Sequence, residues 1–328
     1  MEEDEGRFTP MNKYTVLETK DLTKQYAGNV TAVKNLNLSL SGGEVFGMLG
    51  PNGSGKTTTI LMLLGLSEPT SGNITILGHD PRHRPLEIKR KVAFMPDNVG
   101  FYLDNTGYEN LDYALKFLGL PARERHKRID SAIAVMGLKG REHDRVKSYS
   151  HGMRRRLGLA EVLAKQPEIA ILDEPIQGLD PESIQEFLLL IQKLKQDGIS
   201  VLLSSHQLNE VQSVCDRVGL FYRGEMKICG TVEELSRQIM GGSYQVHIRS
   251  TSKLSHIQKA LDQLNEIKGI TSDESGSFLI ECSDMVSHAI AKELITSDIN
   301  LSELSYHRHT LDEVYRSYYT QFKEAAYA

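Results

Sequence analysis

The sequence predicts an α/β protein: a largely parallel, buried sheet, a helical subdomain inserted into it, and a small α+β domain behind it. Three observations carry this. Between about Thr15 and Thr231 the short apolar runs EVFGML, VAFMP, IAILDE and SVLLSSH alternate with longer helical stretches, the rhythm of strands covered on both faces. Between VAFMP and IAILDE that rhythm gives way to NLDYALKFLGL, ERHKRIDSAIAVMGL and MRRRLGLAEVLA, which read as successive helices and place a helical insertion at about residues 98–165. After Gly230 the helix TVEELSRQIMGG is followed by SYQVHIRS, KLSHIQKALDQLNEI, KGITSD, SFLIEC, MVSHAIAKELITS and LSELSYH. That order, β-α-β-β-α-β, predicts a ferredoxin-like accessory domain, closed by a helix in TLDEVYRSYYTQF with Thr310 as its N-cap.

The expected limits are residues 14–240 for the α/β domain and 241–328 for the accessory domain. The acidic residues 1–13 are expected to be disordered, with Met11 an alternative start. The 328 residues and 40% hydrophobic content supply a real core. A net charge of -5 provides no global attraction to a polyanion, so no nucleic-acid partner is expected. Cys215, Cys229 and Cys282 form no C-x-x-C pair and suit reduced thiols in a cytoplasmic protein. No apolar run reaches the roughly 18 residues that span a bilayer, so a membrane role would need another chain.

In chain order, the first chemical signal is GPNGSGKT. Gly50, Gly55, Lys56 and Thr57 complete G-x-x-x-x-G-K-[ST] between a strand-like run and a helix. In that context glycines turn successive N–H groups toward phosphate oxygens and the helix N-terminus adds its positive end. Asn52, Gly53, Ser54 and Thr58 complete the candidate cradle; Lys56 would reach the β- and γ-phosphates and Thr57 would offer a hydroxyl to Mg²⁺. IAILDE places Asp173 to hold Mg²⁺ through water and Glu174 to polarise an attacking water. His206 ends SVLLSSH, where ligands of open α/β sheets bind, although a capping or core histidine is the plainer alternative for the residue alone. In SYSHGMRRRLGLAEVL, Arg154, Arg155 and Arg156 fan around a helix whose apolar stripe is Met153, Leu157, Ala160 and Ala164. They make no single recognition face. Ser150 and Gly152 open that helix.

Over roughly Tyr14 to Leu235 these motifs resemble, in order and spacing, an ATP-binding cassette (ABC) ATPase, a P-loop NTPase. Tyr26 in LTKQYAG resembles the adenine-stacking aromatic, GPNGSGKT the Walker A loop and IAILDEP the Walker B strand. YSHGM resembles the LSGGQ signature, GLD at 178–180 the D-loop, and His206 the switch histidine. The resemblance implies ATP hydrolysis with Mg²⁺, Glu174 as general base, His206 on the γ-phosphate and Asp180 coupling two sites. It also implies a head-to-tail homodimer in which Ser150 and Gly152 of one copy meet the ATP of the other. Asp97, after MP, stands where the family has glutamine; its shorter carboxylate would need a water or a backbone shift to touch Mg²⁺. His151 and Met153 depart from the signature.

A single cassette with a small C-terminal domain is similar to the ATPase subunits of type 2 ABC exporters, which work with separately encoded membrane permeases. MPDNVGFY, SYSHGMRRRLGLA and TLDEVYRSYY are similar to the nitrous oxide reductase maturation ATPase. The rivals are a soluble ABC ATPase acting on ribosomes or DNA and a non-hydrolysing nucleotide sensor. The stretch from Asp97 to Glu109, with the helical subdomain, is expected to receive the permease. His307 and His309 in YHRHT read as surface histidines rather than metal ligands, and RERHKRID as a solvated helix face.

Overall fold

The structure, a computed structural model, describes residues 14–240, 244–273, 276–284, 286–307 and 311–318. The N-terminal tail, Thr310 and His309 lie outside these. The described residues divide into two compact units with the boundary between Cys229 and Gly230.

The first unit opens with β1 (Thr15–Tyr26), β2 (Val30–Leu36) and β3 (Ser39–Ser41), and β5 (Ser71–Ile76) joins them. These four strands form an antiparallel sheet with β1 pairing to the other three. The sequence does not announce this sheet: register shifts interrupt β1 against each of its three partners, which breaks the alternation expected of a half-buried strand.

The second sheet follows the prediction. β4 (Val45–Leu49), β6 (Val92–Met95), β7 (Ile169–Asp173), β8 (Ser200–Ser205), β9 (Arg217–Tyr222) and β10 (Glu225–Gly230) lie in the order β10-β9-β4-β8-β7-β6. The four central pairings, β9-β4, β4-β8, β8-β7 and β7-β6, are parallel. β4, β7 and β8 are buried along their whole length, which is why they read as continuous apolar runs. Helix α1 (Lys56–Leu63) packs Ile60, Met62 and Leu63 into one core with both sheets, beside Leu17, Phe46, Met48 and Phe221.

Helix α2 (Pro85–Lys91) precedes β6. Between β6 and β7 the chain forms α3 (Gly107–Lys116), α4 (Ala122–Val135) and α5 (His151–Lys165) around a core of their own, with Leu111, Ile129, Leu157 and Ala160 at its centre. Thr106 and Glu109 start α3 with reciprocal capping bonds, and Ser150 caps α5 by accepting from Met153 N at 3.2 Å. α6 (Pro181–Gln196) and α7 (Leu208–Gln212) complete this unit.

The second unit begins with α8 (Val232–Met240), which the sequence assigned to the first domain. Thr231 and Glu234 exchange capping bonds directly after β10, so a new element starts there instead of extending the sheet. β11 (Tyr244–Ser250), α9 (Leu254–Leu261), β12 (Ile267–Ser272), β13 (Ser277–Cys282), α10 (Ser287–Thr296) and β14 (Leu301–His307) follow in the predicted alternation. The sheet order is β12-β13-β11-β14, with antiparallel neighbours throughout. Val246 and Ile248 meet Ile257, Leu261, Ile290 and Leu294 of the two helices in its core. Residues 311–318 are helical.

Candidate functional site

Register in the parallel sheet builds the site. β4, β8 and β7 are neighbours, and their pairing sets Leu49 beside Ser205 and Ser204 beside Asp173. Everything attached to those strand ends therefore converges, as expected at the carboxyl edge of an open α/β sheet.

Loop 50–55 leaves β4 and feeds α1. Its backbone needs glycine at two positions: Gly53 has φ 77° and Gly55 φ 105°, and a Cβ on Gly55 would stand 2.5 Å from Ala32 O. A Cβ on Gly50 would stand 2.3 Å from Phe221 O. Folded this way, the loop leads directly into α1, whose first-turn amides lack intrahelical acceptors and suit an anion. Lys56 is buried, and its Nζ donates to Gly50 O at 2.7 Å and Pro51 O at 3.2 Å. Ser54 Oγ is buried and has no hydrogen-bond partner among the described residues. Asn52 is exposed and Thr58 half-buried.

The Walker-like carboxylates are organised by Ser204, which sequence reasoning passed over. Its buried hydroxyl donates to Asp173 Oδ1 at 2.5 Å and accepts from Glu174 N at 3.0 Å. Asp173 Oδ2 takes the Thr57 hydroxyl at 3.0 Å. Glu174 has φ 46°, a left-handed conformation that costs a non-glycine residue about 1–2 kcal/mol. The Ser204 bond and the carboxylate contacts hold it there. Glu174 Oε2 accepts from His206 Nδ1 at 2.8 Å and lies 3.3 Å from His206 N. Its Oε1 lies 3.4 Å from Lys56 Nζ and is buried without a hydrogen bond. The signal in the sequence for Ser204 is the polar pair Ser204-Ser205 directly after the apolar Val201-Leu202-Leu203 in a strand that is buried throughout.

Thus Lys56, Thr57, Asp173, Glu174 and His206 are one cluster. The other predicted residues stand elsewhere. Tyr26 ends β1 with 46% of its surface exposed and Lys24 Nζ 5.0 Å from its ring centre. Ser150 and Gly152 are at the start of α5. Asp180 caps α6, accepting from Ser183 N at 2.9 Å and Ser183 Oγ at 2.8 Å. Those bonds, the backbone one foremost, hold its carboxyl below the usual carboxylate range. His151 Nε2 is 3.3 Å from Gln177 O. Asp97 accepts from Arg155 Nη2 through Oδ1 at 2.8 Å, a partner the sequence did not suggest, and its side chain is half exposed.

The oxygen donors Thr57 and Asp173 are hard ligands of the kind Mg²⁺ prefers, and a glycine loop at a helix N-terminus with the Lys56 ammonium beside it fits a polyphosphate. Together the cluster can bind a nucleotide's phosphates and present a carboxylate to water.

Comparison with known proteins agrees. Residues 33–177 match the profile of the "ABC transporter" family. The linearmycin resistance ATP-binding protein of Bacillus subtilis (strain 168) is 32% identical over 308 residues, covering 92% of this chain and 97% of its own. The bacitracin transport ATP-binding protein of Bacillus licheniformis is 41% identical over 215 residues, covering 65% of this chain and 68% of its own. Among solved structures, an ATP-binding subunit of an ABC transporter aligns with TM-score 0.65 and 30% identity over 69% of this chain and 94% of that one. A dimeric ATP-binding cassette in a post-hydrolysis state, bound to ADP and Pi, aligns with TM-score 0.62 and 26% identity over 66% and 98%.

Proposed function

The chain belongs to the family of ABC transporter ATP-binding proteins and is an ATPase that energises membrane transport; on that premise we propose that it works as a head-to-tail homodimer on a separately encoded exporter permease at the cytoplasmic face of a membrane. Among the described residues no helix is long and apolar enough to cross a membrane, in keeping with a permease on another chain. The observation that carries the catalytic reading is the Lys56–Glu174–His206 constellation: a strained, buried carboxylate anchored at Oε2 by His206, with Oε1 turned to the Lys56 ammonium.

ATP would lie along loop 50–57 with its adenine on Tyr26. A γ-phosphate that takes the Lys56 ammonium competes for it with Glu174, leaving Oε1 to orient a water and accept its proton. His206, holding Glu174 through Nδ1, keeps Nε2 for the phosphate. Thr57 and Asp173 would hold Mg²⁺, which neutralises phosphate charge when bound. A second copy contributes the N-terminus of α5, where Ser150 and Gly152 present free amides to the same phosphate, and Asp180 links the two sites.

A groove of about 720 Å³ supports the permease reading. Leu86, Tyr102, Tyr113 and Phe117 line it; all four are exposed, and Tyr113 packs edge-on against both Tyr102 and Phe117 at 5.3 Å. Glu161 and Lys165 also line it. Burial pushes the Glu161 carboxyl up and the Lys165 ammonium down. An apolar, aromatic face of this kind suits a partner helix. Relatives named for linearmycin resistance and bacitracin transport support a toxic compound as cargo. A narrower placement beside the nitrous oxide reductase maturation ATPase, and a ferredoxin-like bracing role for the second unit, rest on the sequence resemblance and on strand order.

Two measurements test this. Glu174→Gln should cut ATP turnover about a hundredfold or more and trap an ATP-dependent dimer on sedimentation; wild-type turnover in that variant rejects the catalytic assignment. Phe117→Asp should leave turnover of the isolated subunit within about twofold while abolishing co-purification with the permease encoded beside it; retained co-purification rejects the groove.

A further inference from the structure

Asp97 occupies the position where the family resemblance asks for a metal-contacting amide, and the structure gives its carboxylate other work. Asp97 follows β6 by two residues, and its Oδ1 accepts from Arg155 Nη2 at 2.8 Å, while Arg155 Nη1 lies 3.5 Å from Pro96 O. Arg155 sits in the fifth position of α5 and is 3% exposed. A guanidinium cannot shed its proton, so a buried one must be matched by an anion. Asp97 is the ion-pair partner found for it among the described residues. The Arg155 Nε is buried without a hydrogen bond, which leaves the Asp97 contact the more important.

The same helix is tied to the α/β lobe at two further points. Arg156 Nη2 reaches Glu186 at 2.7 Å and Ser183 Oγ at 3.4 Å on α6. His151 sits against Gly178, where a Cβ would come within 3.1 Å of Nε2. Helix α5 is thereby fixed from the strand end that carries Asp97, from α6, and from the segment between β7 and α6. Meanwhile Thr57 and Asp173 meet each other directly, with Ser204 on the remaining Asp173 oxygen. Among the described residues Asp97 makes no hydrogen bond to either of these candidate ligands.

We propose that Asp97 is not a ligand of Mg²⁺ but the positioning residue that, through Arg155, fixes the orientation of α5 and hence of Ser150 and Gly152. This rests on the reading that the α5 N-terminus serves the ATP of a second copy. Substituting Asp97 loosens α5 against the α/β lobe while the nucleotide and metal contacts within one copy stay intact. The loss falls on dimer closure and turnover, not on Mg²⁺ affinity.

A double-mutant cycle tests it, with Asp97→Ala, Arg155→Met and the pair together, and with Asp97→Asn as the milder version that keeps an acceptor. In a Glu174→Gln background, MgATP affinity of the monomer and the Mg²⁺ concentration for half-saturation should change less than about twofold. ATP-driven dimerisation should weaken about tenfold in each single variant and no further in the double, because both remove one contact. A Mg²⁺ half-saturation raised tenfold by Asp97→Ala, or losses that multiply in the double variant, overturns the proposal. If Glu174→Gln alone does not dimerise with MgATP, the two-copy reading fails instead. The same cycle run on ATP turnover and Mg²⁺ dependence then decides the role of Asp97.

Discussion

Ser204→Ala is the sharpest probe of how the site is assembled. The hydroxyl is fully buried and serves both carboxylate residues, donating to Asp173 Oδ1 and accepting from Glu174 N. Removing it orphans a buried backbone N–H, which costs about 1–2 kcal/mol, and strips a charge-assisted bond from Asp173, which costs about 1.5–3 kcal/mol. Asp173 keeps Thr57, so part of the second cost is recovered, and the hole left by one hydroxyl is too small for a water to replace it. A total loss of about 2–4 kcal/mol follows. Urea unfolding followed by a probe in the first unit should show it as a lower midpoint at unchanged slope. Glu174 loses the bond that holds its φ of 46°, so turnover should fall about a hundredfold, or about 2.7 kcal/mol in activation free energy. The KM for ATP should move less than about threefold, because Lys56 and loop 50–55 are untouched. Ser205→Ala is the control: among the described residues its hydroxyl bonds only locally, with Gln207. A Ser204→Ala variant with stability within about 0.5 kcal/mol of wild type and turnover within about twofold would show that Ser204 does not organise the carboxylates.

Gly55→Ala should abolish detectable MgATP binding by calorimetry and lower the unfolding midpoint, since the new Cβ meets Ala32 O at 2.5 Å in a φ of 105° that alanine avoids; wild-type affinity in this variant would mean that the loop has a second competent form. Tyr26→Ala should raise the KM for ATP about tenfold at constant turnover, and Tyr26→Phe should leave both unchanged, because a stacked ring contributes about 1–3 kcal/mol and its hydroxyl nothing; equal effects of the two substitutions would remove Tyr26 from the adenine site. Glu161 has a folded pKa raised by burial. The folded state therefore binds its proton more tightly than the unfolded chain, and the stabilisation present below about pH 4.3 is lost as pH rises through the folded value. Glu161→Gln should thus raise Tm at pH 7, with the advantage shrinking toward pH 4; a gain that is independent of pH in thermal scans would contradict the burial argument.

The sequence by itself determined the chemistry and most of the architecture. GPNGSGKT is a local pattern in which neighbouring residues share one task and can be read by itself, whereas IAILDE and the histidine after SVLLSS gain their meaning from standing in order with it and from the family resemblance. Runs buried on both faces were legible as parallel strands because nothing polar interrupts β4, and the alternation of the second unit was legible for the converse reason, that β11 buries every other residue. Only the tertiary structure decided what depends on partners distant in the chain. Ser204 matters because the β7–β8 register sets it against Asp173, 31 residues away. Asp97 is the partner of Arg155 because folding buries a guanidinium 58 residues downstream. The antiparallel sheet around β1 and the start of the second unit at Gly230 are likewise settled by pairing and capping. A side chain's type shows which interactions it can make, and the fold decides which single partner is close enough to make one.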